Sequence, residues 1–148
     1  MLIQELTRQA SLELLTRAHL GRLACAQGAQ PYVTPFNFVF YQDCLYSFST
    51  VGQKIEWMRA NPLVSVEADE IVNSRQWASV IVFGRYEELP GKPEWNIERT
   101  TAAIMLQKNG MWWEPGYAKT ILQGRERSLV PVFYRIHLTQ ITGHFATP

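Results

Sequence analysis

Residues 45–69 read LYSFSTVGQKIEWMRANPLVSVEAD. An apolar strand pattern runs to Phe48 and gives way to the small polar turn Ser49, Thr50, Val51, Gly52. At Gln53 and Lys54 the pattern becomes a short helix with Ile55 and Met58 as its inner positions. Asn61-Pro62 stops that helix, because the residue before a proline is pushed out of helical geometry, and Leu63–Asp69 then alternates as a strand.

Upstream, LGRLACA (20–26), PYVTPFNFVFY (31–41) and CLYSFS (44–49) read as successive strands, with turns at Gly28 and near Gln42-Asp43, which predicts an antiparallel meander. In the second strand Tyr32, Thr34, Phe36, Phe38 and Phe40 share one face and Val33, Pro35, Asn37 and Val39 the other, so both faces are expected to be covered. Pro35 has no N–H to donate and belongs at an edge or a bulge rather than in mid-sheet, which predicts a local break in the ladder just before Asn37. Ser11 reads as the cap of a short helix that ends near His19 and Gly21. Downstream, QWASVIVFGRYEEL (76–89) reads as a long strand with a bulge at Gly84. IERTTAAIMLQKN reads as an amphipathic helix containing Ile97, Ile104 and Met105. VPVFYRIHLTQITG closes the chain as a strand with Val132, Tyr134, Ile136 and Leu138 on one face. The expected architecture is mainly β (α+β): one domain, residues 1–148, with about six antiparallel strands in a small barrel and helices packed outside.

Composition narrows the function classes. Lys and Arg number 14 against 13 Asp and Glu, a balance that gives no field for gripping a polyanion, so no nucleic-acid partner is expected. Charged residues are only 18% of the 148, while aromatics are 12% and include five tryptophans. Such a surface is short of charge and points either to a covering second subunit, a flat ligand, or an aromatic-rich core. Glu5 and Arg8 fall where a signal peptide needs an apolar run, and no stretch has the length of a membrane span, so a cytoplasmic, soluble protein is expected. Cys25 and Cys44 lack CxxC spacing and read as buried free thiols. His19, His137 and His144 lie far apart and read as non-ligating, so no metal is expected.

Nucleotide-loop, nucleophile-elbow and zincin motifs are absent. The turn Ser49–Lys54 is the exception. A helix start offers unpaired N–H groups and a positive potential, which suit a phosphate, and Lys54 in the first turn opposes the dipole unless an anion lies beside it. The bland alternative is that Ser49 or Thr50 caps the helix and Lys54 is solvated. Trp77 and Ser79 project from one face of the long strand, and with the strand break near Pro35 they suit a planar heteroaromatic ring.

PYVTPFNFVF, LYSFSTVGQKIEWMRANPLVSVEAD and WASVIVFGRYEEL together resemble the pyridoxamine-phosphate-oxidase-like FMN-binding split barrel, especially its nitroimidazole-resistance branch, over roughly residues 11–145. The loop WWEP is similar to that branch as well. The resemblance implies a homodimer with two FMN sites built from both chains. Ser49, Thr50 and Lys54 would hold the phosphate, the backbone of Pro35, Phe36 and Asn37 would edge the isoalloxazine, and Phe48 would line it. Trp77 and Ser79 match positions near the flavin, where the family often has a polar residue reaching across the dimer. Departures are informative. Val33 and Thr34 stand where the oxidase branch has an arginine, and its C-terminal arginine and histidine pattern is not evident, so vitamin B6 oxidation is not expected. Phe48 stands where the nitroimidazole branch has a histidine, so no catalytic residue is named.

The function expected is an FMN-dependent reductase or oxidase of a small planar or nitroaromatic acceptor, with NADH or NADPH as a candidate donor. The flavin chemistry itself needs no acid or base from the chain. A flavin or haem carrier, with deazaflavin as another occupant, and a cofactor-free structural dimer are the competing readings. Trp112 and Trp113 either cover the substrate side of the ring or anchor their loop in the core or interface.

Overall fold

Antiparallel pairing organises the whole chain. The computed structural model describes residues 1–109, 119–122, 124–128 and 131–148. The elements run β1 (Leu2–Glu5), α1 (Arg8–Arg17), β2 (Leu20–Gln27), β3 (Gln30–Asn37), β4 (Val39–Tyr41) and β5 (Cys44–Thr50). They continue with α2 (Gln53–Ala60), β6 (Leu63–Asn73), β7 (Gln76–Leu89), a 3-10 turn (Pro93–Trp95) and α3 (Asn96–Lys108). Then come β8 (Lys119–Leu122), β9 (Arg125–Ser128) and β10 (Pro131–Thr147). Eight strands form one sheet in the order β3-β2-β6-β7-β10-β5-β4, with β1 also on β10; β8 and β9 form a separate hairpin.

The sheet coils without closing. Where the end of β3 comes beside β5, the Ser47 hydroxyl donates to the Asn37 carbonyl at 2.6 Å. Inside the coil lie Leu23, Cys25, Leu45, Val66, Val80, Val82, Tyr134 and Ile136, joined by Leu14 and Leu15 of α1 and Ile55 and Met58 of α2. Each fully buried aliphatic side chain of this kind contributes roughly 1.5–3 kcal/mol. α3 covers part of the opposite face through Ala102 and Leu106, over Cys44, Tyr46 and Phe48 of β5.

This is the expected mainly β architecture with flanking helices, and it departs from the sequence reading at particular residues. α1 is capped by Thr7, whose side chain accepts from the Ala10 amide, while Ser11 is buried inside the helix. β3 runs unbroken through Pro35, which sits opposite Arg22. As an edge strand, β3 tolerates the missing N–H, and the interruption falls at Phe38 instead. The outer face of β3 is not covered within one chain, because Val33 is 64% exposed. The irregularity expected at Gly84 lies across the ladder, between Leu138 and Gln140 of β10. Gly84 answers a different need: a Cβ there would meet Ile136 Cγ2 at 2.5 Å and the His137 carbonyl oxygen at 2.7 Å. In α3 the isoleucines face away from the sheet, Ile97 being 80% and Ile104 57% exposed.

Candidate functional site

β5 delivers its last residues to the start of α2, and the geometry of that junction decides between a cap and an anion seat. The N-cap is Gly52, in extended backbone, and no side chain caps the helix. The Ser49 and Thr50 hydroxyls are therefore not used as caps, and neither makes a side-chain hydrogen bond among the described residues. The first helical bond runs from the Glu56 amide to the Gly52 carbonyl, which leaves the amides of the first turn without a helical acceptor.

Lys54 lies in that turn, half-buried, with no carboxylate partner among the described residues. Burial holds its ammonium below the ordinary lysine range, and the Cys25 thiol facing it offsets this only in part. The junction brings together a half-buried cation, two hydroxyls and the unpaired amides of a helix start, groups of the kind that bind an anion. The buried Tyr134, paired across the ladder with Ser47, and Cys25 of β2 lie behind this junction; the β5–β10 register brings Tyr134 there, and the coiling of the sheet brings Cys25.

The other expected residues divide into two groups. Pro35 and Asn37 lie at the end of β3, and Asn37 is tied to β5 by the Ser47 bond, so this backbone borders the same junction. Phe36 is buried and stacks on Phe38 with ring centroids 5.3 Å apart. Phe48 is turned to the α3 side of β5, where it packs with Val39, Leu106 and Phe133, opposite the face of Ser47 and Ser49.

Trp77 and Ser79 are elsewhere. They share the outer face of β7, on the side away from buried Val80 and Val82. On β10, Ser49 is opposite Val132 and Ser79 opposite His144, which is 144 − 132 = 12 positions further along that strand. Along the sheet, β7 is also three strands from β3 and two from β5. Within one chain these two groups do not converge. Trp112 and Trp113 lie outside the described residues.

Around Trp77 and Ser79 the outer face mixes apolar and charged side chains. Cross-strand register places the exposed Val33, Leu63, Ile71, Ile81 and Phe83 on it, interleaved with Glu67, Arg85 and Arg22, the last bonded to Asp69 at 3.1 Å. No helix in the described chain is long and apolar enough to cross a membrane, and among the described residues no three His, Cys, Asp or Glu side chains converge as a metal site.

A coiled, unclosed antiparallel sheet with an open helix start at its rim defines a small split-barrel protein. The family model for pyridoxamine 5'-phosphate oxidase matches residues 7–145, and the chain belongs to that family. It is 38% identical to an uncharacterized protein of Rhizobium meliloti over 99% of this chain and 97% of that one. It is 43% identical to a crystallised FAD-binding protein of Mesorhizobium loti, with a TM-score of 0.83, covering 99% of this chain and all of the other. A protein of Bacteroides thetaiotaomicron assigned to 5-nitroimidazole antibiotic resistance shares the fold at 18% identity and a TM-score of 0.68, covering 98% of this chain and 89% of that one.

Proposed function

We propose that this chain binds FMN and acts as an FMN-dependent oxidoreductase that reduces small planar acceptors, nitroaromatics among them. The observation that carries the reading is Lys54, a half-buried cation with no acidic partner among the described residues, set beside a helix start without a side-chain cap. Lys54, Ser49, Thr50 and the first-turn amides bind the phosphate, and the backbone at Pro35, Phe36 and Asn37 edges the ring. Phe48 supports β5 from the α3 side. Flavin bound there supplies hydride and electron transfer; the chain positions the ring and excludes water. The FAD-binding relative supports a flavin, and the resemblance of residues 45–69 to the FMN-binding split barrel is the reason to propose the mononucleotide.

The separation of Trp77 and Ser79 from the Lys54 junction supports a homodimer. In it, the outer face of β7 from one chain completes the flavin site of the other, and the exposed apolar face is the interface. NADH or NADPH is the proposed donor. Vitamin B6 oxidation is not proposed, because Val33 and Thr34 occupy the strand positions of the oxidase arginine. A second reading, a non-catalytic flavin or haem carrier, is favoured by the residues proposed for the site, which include no histidine or carboxylic acid to serve as a proton donor.

The test is the visible spectrum of the purified protein with chromatography of the released cofactor. FMN on denaturation supports the proposal, FAD corrects the cofactor, a Soret band assigns haem, and a colourless protein that ignores added FMN overturns it. Stopped-flow reduction with NADH or NADPH then separates enzyme from carrier.

A further inference from the structure

A second constellation lies on the outer face of β7, β10 and β5, away from the Lys54 junction. His137 of β10 is directly opposite Cys44 of β5, and its Nδ1 is 3.3 Å from Cys44 Sγ. Its other nitrogen, Nε2, is 3.1 Å from Glu87 Oε1 on β7. The imidazole therefore bridges a thiol and a carboxylate through its two ring nitrogens. With Nε2 protonated and donating to Glu87, Nδ1 is left as an acceptor aimed at the thiol. Arg135, one row along, donates to the same Glu87 oxygen at 2.7 Å and to the Tyr46 hydroxyl at 3.3 Å, and lies over the Trp95 ring.

We propose that Cys44 is a base-assisted reactive thiol, the modification site for small-molecule disulfides of the glutathione class, with His137 as its base and Glu87 positioning that base. In the exchange, His137 Nδ1 takes the proton of Cys44 Sγ. The sulfur attacks one sulfur of the disulfide, a new S–S bond forms and the reagent's S–S bond breaks. The departing sulfur leaves with the electron pair and is protonated by the imidazolium. Cys44 is oxidised to a mixed disulfide, and half of the reagent is reduced to a thiol.

The charges around the pair are consistent with a thiol that needs a base. Burial pushes the Cys44 thiol up; Arg135 opposes this, while Glu87 and the neighbouring Asp43 add to it. Cys44 therefore rests as a protonated donor, and thiolate forms only by transfer to His137. Burial also pushes the Glu87 carboxyl up, but its hydrogen bonds with His137 and Arg135 outweigh that and hold it below the ordinary range, ionised and able to orient the ring. Arg85 is opposite His137 on the β7 side.

Cys25 is an internal control. It is as buried as Cys44, 4% against 6% exposed, and has a lysine opposite it in place of a hydrogen-bonded imidazole. Access alone gives the two thiols equal rates, and the Lys54 charge alone favours Cys25.

The experiment treats the native protein with dithiobis(nitrobenzoate) and separately with glutathione disulfide, with mass mapping of the modified peptide. Cys44 is expected to react first, once per chain. His137→Ala is expected to slow it roughly tenfold or more, with partial recovery on adding free imidazole, and Glu87→Gln to slow it less. Circular dichroism confirms that each variant is folded. Modification of Cys25 first, no modification of either thiol before unfolding, an unchanged or faster rate in His137→Ala, or failure of imidazole to restore the rate would each overturn the proposal.

Discussion

Lys54 carries more of this account than any other side chain, and its burial gives a prediction in which stability and binding move in opposite directions. A cation held below its ordinary range costs the folded protein stability at every pH where it stays charged, and that cost fades as pH rises through its folded value toward the ordinary lysine value. Lys54→Met is therefore expected to raise the melting temperature of the flavin-free protein at neutral pH. About 1 kcal/mol corresponds to roughly 2–4 °C for a chain of this size. The same variant is expected to lose flavin affinity; a lower melting temperature without flavin would make Lys54 a structural residue. This junction was legible in the sequence because a lysine in a first helical turn is locally unfavourable, and that anomaly is visible without coordinates. The Thr7 cap was not legible, since Thr7 and Ser11 are both good cap residues and only the burial of Ser11 beside Gly143 separates them. The Cys44, His137 and Glu87 chain was also hidden: its members are 93 and 50 residues apart and meet only through strand register. At Gly84 the demand is steric, and Gly84→Ala is expected to cost about 1–3 kcal/mol in a denaturant titration because the Ile136 side chain and the His137 carbonyl already fill the space.

At the scale of elements, hydrophobic pattern located the three helices and the long strands of the main sheet, but it did not find β1, β8 or β9, read β3 and β4 as one strand, and did not say which face of α3 is inward. Ile97 and Ile104 are the bulkier stripe, yet the sheet beneath is already filled by Tyr46, Phe48 and Phe133, which leaves room for Ala102 and the end of Leu106. Packing volume decides the orientation there, and a moment calculated from hydrophobicity does not contain it. Leu106→Ala is expected to lower stability by about 2–5 kcal/mol, and Ile97→Lys to change it by less than about 0.5 kcal/mol, both read by chemical denaturation. The reverse order would mean that α3 is turned the other way. β3 shows the same limit: Pro35 forbids one hydrogen bond, but its effect depends on whether the strand is an edge, and that is a property of the sheet order.

For the whole molecule, the exposed apolar side chains are concentrated in one place. Val33, Leu63, Ile71, Ile81 and Phe83 lie on one outer face with Trp77 and Ser79, interleaved with Arg22, Glu67, Asp69 and Arg85. Light scattering is expected to give twice the mass of one chain, and Ile81→Asp with Phe83→Asp is expected to yield a monomer with weakened flavin binding. A wild-type monomer that still binds flavin would separate the interface from the site. The most direct measurement for the central claim is a fluorescence titration of FMN into flavin-free wild type and Lys54→Ala. The expected result is one FMN per chain in the wild type and an affinity roughly 10- to 150-fold weaker in the variant, the loss of one charge-assisted phosphate contact. Equal affinity in the two proteins would contradict it, because the phosphate would then be held somewhere other than the β5–α2 junction.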